Sequence, residues 1–163
     1  MAKTSASTFR FEVSADQLLE VLTDPEFQVH RTKIVQDALD VTVKGHTRDK
    51  ARCHYEVHAK EYAKGLKGID RSRTEVTVST YDWDLAAKRG DWTYKCEHDK
   101  VVKTWGSLRI EPAGKASTLK ADFFVESKVP LLGGQIEKGV VAEVDKSWAK
   151  YERAVRSWLE KKA

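Results

Sequence analysis

The stretch KVPLLGGQIEKGVV, Lys128 to Val141, decides how the chain is read. It runs from a proline and two leucines through paired glycines into a long periodic segment. Gly134-Gln-Ile-Glu-Lys-Gly139 has the glycine spacing of a phosphate loop, but Val140 and Val141 stand where such a loop needs a lysine and a hydroxyl residue. Without those two groups nothing reaches the outer phosphates or holds magnesium. No G-x-G-x-x-G and no βαβ pattern surrounds the stretch, which removes dinucleotide binding as well. Gly133 and Gly134 read instead as a sharp corner between strand and helix, where a Cβ would hinder the torsions or the close approach. Gly139 lies inside the helical segment, at a cost of about 1 kcal/mol relative to alanine, and marks either close packing or room for something bound.

Downstream of the corner, Ile136, Val140, Val144, Trp148, Tyr151, Val155 and Trp158 recur at three- and four-residue steps, one apolar stripe on a long helix. Upstream, nearly everything from Leu39 to Ser127 alternates with the period of strands. Leu39–Lys44, Ala51–Ala59, Thr74–Leu85, a segment carrying Trp92, Tyr94, Cys96 and His98 on one face, Val101–Glu111 and the run through Leu119, Ala121, Phe123 and Val125 are the expected strands. Polar and glycine-containing clusters at 64–72, 88–91 and 112–117, and a short turn at 98–100, separate them as in an antiparallel meander. The chain opens on a further strand, Thr8–Val13. Ser14-Ala15-Asp16-Gln17 then matches a capping box, and Asp24-Pro25 starts a second short helix extending to Gln36.

The chain has 163 residues, enough for one domain with a sizeable core, and no linker or repeat divides residues 1–163. Its 29 basic and 25 acidic residues give a net charge of +4, a mixed surface with a mild basic tilt. There is no RNA-recognition signature, helix-turn-helix pattern or dense basic stripe, so no nucleic-acid partner is expected. Cys53 and Cys96 form neither a disulfide framework nor a zinc pattern. The opening MAKTSAST lacks the apolar core of a secretory signal, and no run reaches the length of a transmembrane helix. The expectation is a cytoplasmic protein with reduced thiols.

The order is strand, two short helices, six more strands and one long helix. The class is α+β, with a seven-stranded curved antiparallel sheet wrapped around the C-terminal helix. In this order, in the opening FRFEVSA strand and in the V-P-L-L-G-G-Q-I-E turn, the chain resembles the helix-grip proteins. These form the START-like superfamily (SRPBCC), which includes the birch-pollen allergens and polyketide cyclases. The likeness covers nearly the whole chain and lies nearest to a bacterial branch with no assigned activity. It implies a cavity between sheet and helix.

Several residue sets invite chemistry. His54, Glu56 and His58 share one strand face, but the two imidazoles stand about 13 Å apart, too far to grip one ion together. Arg52 on the same face marks it as the solvated side, so no metal and no cofactor is expected. Cys96 and His98 are expected inside, where a thiolate–imidazole pair is weighed against an ordinary core thiol, and the core reading is favoured. Tyr55, Val57, Trp92, Tyr94, Cys96, His98 and Phe123 from the sheet face Ile136, Val140, Val144 and Trp148 from the helix. This set reads as the lining of an apolar cavity with a few polar groups that orient a ligand.

The expected function is binding or transport of a small hydrophobic molecule, lipid, sterol-like or polyketide-like, without catalysis. The alternative is a cyclase or aromatase using His98, Tyr55 or Tyr94 for proton transfer. Lys60–Arg73, a basic loop carrying Leu66 and Ile69, is either a solvated loop or a lip that opens for ligand and touches a membrane surface transiently. Leu131 and Leu132 are expected at the rim. The sequence is silent on oligomeric state.

Overall fold

The computed structural model describes residues 2–65 and 68–162. Strand β1 (Lys3–Phe11) is followed by helices α1 (Ala15–Leu22) and α2 (Pro25–Gln36). Six strands come next: β2 (Asp40–Arg48), β3 (Arg52–Gly65), β4 (Gly68–Asp84), β5 (Arg89–Lys95), β6 (Val102–Ala113) and β7 (Ala116–Ser127). Helix α3 (Gly133–Lys162) ends the chain. All seven strands form one antiparallel sheet in the order β1-β7-β6-β5-β4-β3-β2. This is the helix-grip architecture.

Local chemistry fixes the two short helices. The Ser14 hydroxyl accepts from the Gln17 amide at 3.1 Å and the Gln17 side chain accepts from the Ser14 amide at 3.0 Å, a complete capping box. Asp24 caps α2 by accepting from the Glu26 amide at 2.9 Å, with Pro25 at the first helical position. Leu18, Leu22 and Phe27 then bury completely against Phe11 and Trp83. Each such side chain contributes about 1.5–3 kcal/mol of apolar burial.

Helix α3 lies on the concave face along β1 and β7. Trp148 Nε1 donates to Ser5 Oγ at 2.8 Å, Ser5 also bonds Asp145, and the Trp148 and Phe9 rings are 6.1 Å apart. Helix α2 meets α3 over its second half: Arg31 lies over the Tyr151 ring, His30 bonds Ser157 at 3.0 Å and Phe27 packs edge-on to Trp158.

The structure corrects four boundaries. First, the described residues of the segment 60–73 are strand and not loop: β3 continues to Gly65 and β4 begins at Gly68, with a register shift between Tyr62 and Ala63 that absorbs residues 71–73. Leu66 lies outside the described residues. Second, β5 stops at Lys95, and Cys96 and His98 belong to a turn whose backbone closes on itself, Asp99 N–H to Cys96 C=O at 3.1 Å and Val102 N–H to His98 C=O at 2.8 Å. Third, β1 covers Lys3–Phe11, so Val13 lies past its end. Fourth, β6 and β7 extend through most of 112–117, leaving a tight turn at Gly114, whose φ is +66°.

At the corner that opens the sequence reading, the left-handed residue is Leu131, with φ of 64°, and neither glycine takes a positive φ. Gly133 is needed for close approach: a Cβ there would lie 2.9 Å from the Ser127 carbonyl oxygen. A Cβ at Gly139 would meet only open space.

Candidate functional site

The stripe on α3 is not uniformly buried. Tyr151, Val155 and Trp158 are buried beneath α1 and α2, whereas Ile136, Val140, Val144 and Trp148 remain half-buried. The side-chain contacts of α2 with α3 fall at residues 150–158, so the first four turns of α3 project over the sheet beyond the reach of α2. On the sheet, Trp92 is half-buried on β5 with its ring 5.8 Å from that of Phe123 on β7. Gly106 on β6 makes room for Trp92, because a Cβ there would fall 2.4 Å from the indole. Trp92, beside the buried Phe123, and an apolar helix row therefore lie on the concave side of the sheet, with part of the Trp92 and helix surface uncovered.

Polar groups gather at one end of this groove. Glu61 is the inward residue two places beyond Ala59 on β3 and is 2% exposed. Its carboxylate accepts from Gln36 Nε2 at 3.0 Å, Lys64 Nζ at 3.0 Å, the Tyr94 hydroxyl at 3.3 Å and the Thr77 hydroxyl. Lys64 Nζ also donates to the Tyr94 hydroxyl at 2.8 Å. Burial, with Glu61 nearby, pushes the Tyr94 phenol well above its ordinary pKa, so it stays a neutral donor. Glu75, paired with Glu61 across β3 and β4, is also buried and accepts from the backbone amides of Lys64 at 3.0 Å and Glu97 at 3.1 Å.

The remaining expected site residues divide. Val57 is buried in the core beneath the same face. Tyr55 is wholly buried, and its hydroxyl donates to the Leu22 carbonyl at 2.9 Å and accepts from Trp83 Nε1 at 3.2 Å, both away from the groove's polar end. His98 Nε2 is bonded to the Lys64 carbonyl at 2.9 Å and stitches the β5–β6 turn to the β3–β4 hairpin. Burial raises the Cys96 thiol above its usual pKa, which leaves little thiolate at neutral pH. On the outer face His54 pairs with Asp82 at 2.6 Å and His58 with Glu56 at 2.9 Å. Among the described residues no group of three or more His, Cys, Asp or Glu side chains is placed to hold a metal ion.

Around the groove end lie exposed apolar residues: Leu131, fully exposed, Leu132 and Val101. The Lys128 amide donates to the Val101 carbonyl at 2.7 Å and so holds the β7–α3 corner beside the β5–β6 turn. A separate hollow of about 590 Å³ lies at the opposite end, lined among others by Val13, Glu20, Thr23, His46, Arg48 and Trp158. Arg48 is already paired there with Glu20 at 2.6 Å and Thr23 at 2.9 Å, so the hollow presents little unspent polarity. Another, of about 340 Å³, lies on the outer face beside Trp105 and includes Trp92 in its wall.

Residues 6–159 match the model of a family described as "Protein of unknown function (DUF2505)". The chain belongs to that family. No curated protein matches this DUF2505 member in sequence. Among solved structures, it is similar to the Zhui aromatase/cyclase from Streptomyces sp. R1128, with 14% identity, a TM-score of 0.69 and coverage of 99% of this chain and 95% of that one. It is similar to a START superfamily protein from Mycobacterium smegmatis at 13% identity and a TM-score of 0.65, over 98% and 99% of the two chains. A truncated norcoclaurine synthase from Thalictrum flavum shares 12% identity at a TM-score of 0.67, over 98% and 94%. At such identities the likeness establishes the fold alone: this DUF2505 domain has the helix-grip architecture of those structures. Among its described residues no helix is long and apolar enough to cross a membrane.

Glu61, Lys64, Thr77 and Gln36 are the groove residues that sequence reasoning missed. One signal was available. The alternation Cys53, Tyr55, Val57, Ala59 continues to Glu61 and Ala63, so a glutamate occupies an inward register position, where a charge is rare unless paired.

Proposed function

We propose that the protein binds a small, mostly apolar molecule in the groove between the concave face of the sheet and the first half of α3. The observation that carries this reading is the incomplete burial of Ile136, Val140, Val144 and Trp92 together on the concave side, beside a sheet core whose Tyr55, Tyr81 and Trp83 are buried. Covering them with a ligand gains about 25 cal/mol per Å² of apolar surface removed from water. The Glu61–Lys64–Tyr94 cluster at one end supplies the few polar contacts that fix orientation. Leu131, Leu132 and Val101 form the rim past which a ligand enters.

The test is mass spectrometry of the organic extract of protein purified from its own host, with Trp92→Ala as comparison. An apolar molecule at near-stoichiometric level in the wild type, and depleted in the variant, supports the reading. Repeated absence of any such molecule, together with no uptake of the neutral dye Nile red, overturns it.

A further inference from the structure

The geometry around Lys64 is that of an occupied amine site. Glu61 Oε2 takes its donors from Gln36, Thr77 and Tyr94, whereas among the described residues Oε1 receives Lys64 Nζ alone, at 3.0 Å. The same ammonium donates to the Tyr94 hydroxyl at 2.8 Å and lies 5.4 Å from the centroid of the Tyr94 ring. A buried carboxylate and a hydroxyl acceptor around one ammonium are the elements with which proteins hold a ligand's amine, and the ammonium sits beyond the hydroxyl at the edge of the ring.

Two features separate this arrangement from an ordinary ion pair. The carboxylate is oriented from behind, because Gln36 and Thr77 grip it independently of Lys64. The partners also differ in burial: the Glu61 side chain is 2% exposed and that of Lys64 is 42% exposed. The lysine is therefore the removable member. Its flexible four-carbon stem lets the ammonium leave by rotamer changes, with no movement of β3.

Withdrawal of Lys64 would leave Glu61 and Glu75, paired across β3 and β4, as two buried carboxylates. Among the described residues Glu75 is held by the backbone amides of Lys64 and Glu97 alone. Arg31 on α2 reaches only as far as Gln36 Oε1, at 3.0 Å, with its guanidinium over Tyr151. The vacated cage carries negative charge beside the apolar floor of Trp92 and Phe123.

We propose that Glu61 and Tyr94 form an ammonium-binding subsite that Lys64 fills as an internal stand-in, and that the groove takes a primary amine with an aromatic or aliphatic body. The amine replaces the Lys64 ammonium between Glu61 Oε1 and Tyr94, and its body lies against Trp92, Phe123 and Val140. This rests on the groove reading above and specifies the class of molecule the groove accepts.

The test uses phenethylamine and phenethyl alcohol, which share a body and differ in the ammonium, titrated calorimetrically at neutral pH. Wild-type protein binds phenethylamine more tightly than the alcohol, by a smaller margin than a variant lacking the lysine, because Lys64 competes for the cage. Lys64→Ala binds phenethylamine about tenfold more tightly, and the alcohol within about twofold of wild type. Adding Glu61→Gln to Lys64→Ala abolishes the gain. Should that double variant not fold, Tyr94→Phe in the Lys64→Ala background shrinks the gain at least about threefold.

A Lys64→Ala protein that binds both compounds as wild type does, or gains equally for both, overturns the subsite. So does a gain that survives Glu61→Gln or, where that double variant does not fold, Tyr94→Phe. Failure of the groove itself looks different: neither phenethyl alcohol nor Nile red then binds any variant, and both proposals fall together. Binding of the alcohol without preference for the amine in Lys64→Ala removes the ammonium subsite alone.

Discussion

Glu61 and Glu75 are directly paired residues on β3 and β4, and both side chains are buried on the concave face. Like charges in directly opposed positions weaken a sheet. Here each carboxylate has its own donors, side chains from three other elements for Glu61 and two backbone amides for Glu75. The pair thus fastens α2, the β3–β4 hairpin and the β5–β6 turn to one another. Glu75→Ala unmakes two charge-assisted bonds and should cost about 1–3 kcal/mol in urea unfolding. A variant as stable as wild type would show that these bonds do not hold the hairpin end.

Gly106 has no room for a side chain. A Cβ there would lie 2.2 Å from the Asp122 carbonyl oxygen and 2.4 Å from the Trp92 ring. The first contact is with backbone and cannot be relieved by a rotamer. Gly106→Ala should therefore destabilise by about 1–3 kcal/mol or more, as overpacking does, and displace Trp92. Urea unfolding together with Trp92 fluorescence checks this. An unchanged midpoint with an unchanged spectrum would contradict the packing described.

Tyr55, Tyr94 and Tyr151 all have phenols raised by burial, Tyr94 with Glu61 as second cause. The unfolded chain releases these protons near about pH 10, and the folded chain holds them to higher pH. Their contribution to stability is thus fully present below about pH 10 and is lost as pH rises through the raised values. Tyrosinate absorbance followed through alkaline titration should show these three phenols ionising only together with cooperative unfolding. Ionisation of all five tyrosines in a still-folded protein would contradict the burial.

At the acid end, the Ser127 amide donates to Glu137 at 2.9 Å and, with Lys3, holds its carboxyl below the ordinary value. A depressed carboxylate stabilises the fold above its unfolded pKa and loses that effect as pH falls through the folded one. Glu137→Gln should flatten the loss of stability below about pH 4.5 and loosen the start of α3. Thermal unfolding across that range reads the difference. Identical acid limbs for variant and wild type would exclude the role.

The two short helices were legible because their signals are local: Ser14 with Gln17, and Asp24 with Pro25, are bonded as their spacing dictates. The stripe from Ile136 to Trp158 was legible from period alone. The hairpin end was not. Apolar alternation on β3 is interrupted by Glu61, and apart from Lys64 the donors that let a carboxylate sit there come from residues 16 to 33 positions distant. Cys96 and His98 kept the phase of β5 in sequence, yet the backbone had already turned after Lys95, because the closing bonds are made by main chain and leave no side-chain signature. Gly106 resembles any strand glycine until Trp92 is placed against it.

The central claim is that the groove over Trp92 and Phe123, beneath the first half of α3, is the binding site. The most direct measurement is Nile red titration of wild type against Val140→Trp, a substitution that fills the groove from the helix side and leaves the Tyr151–Trp158 contacts untouched. One dye per wild-type molecule, and none bound by a folded Val140→Trp, is the predicted result. Equal binding by both proteins, or no binding by wild type, would contradict it.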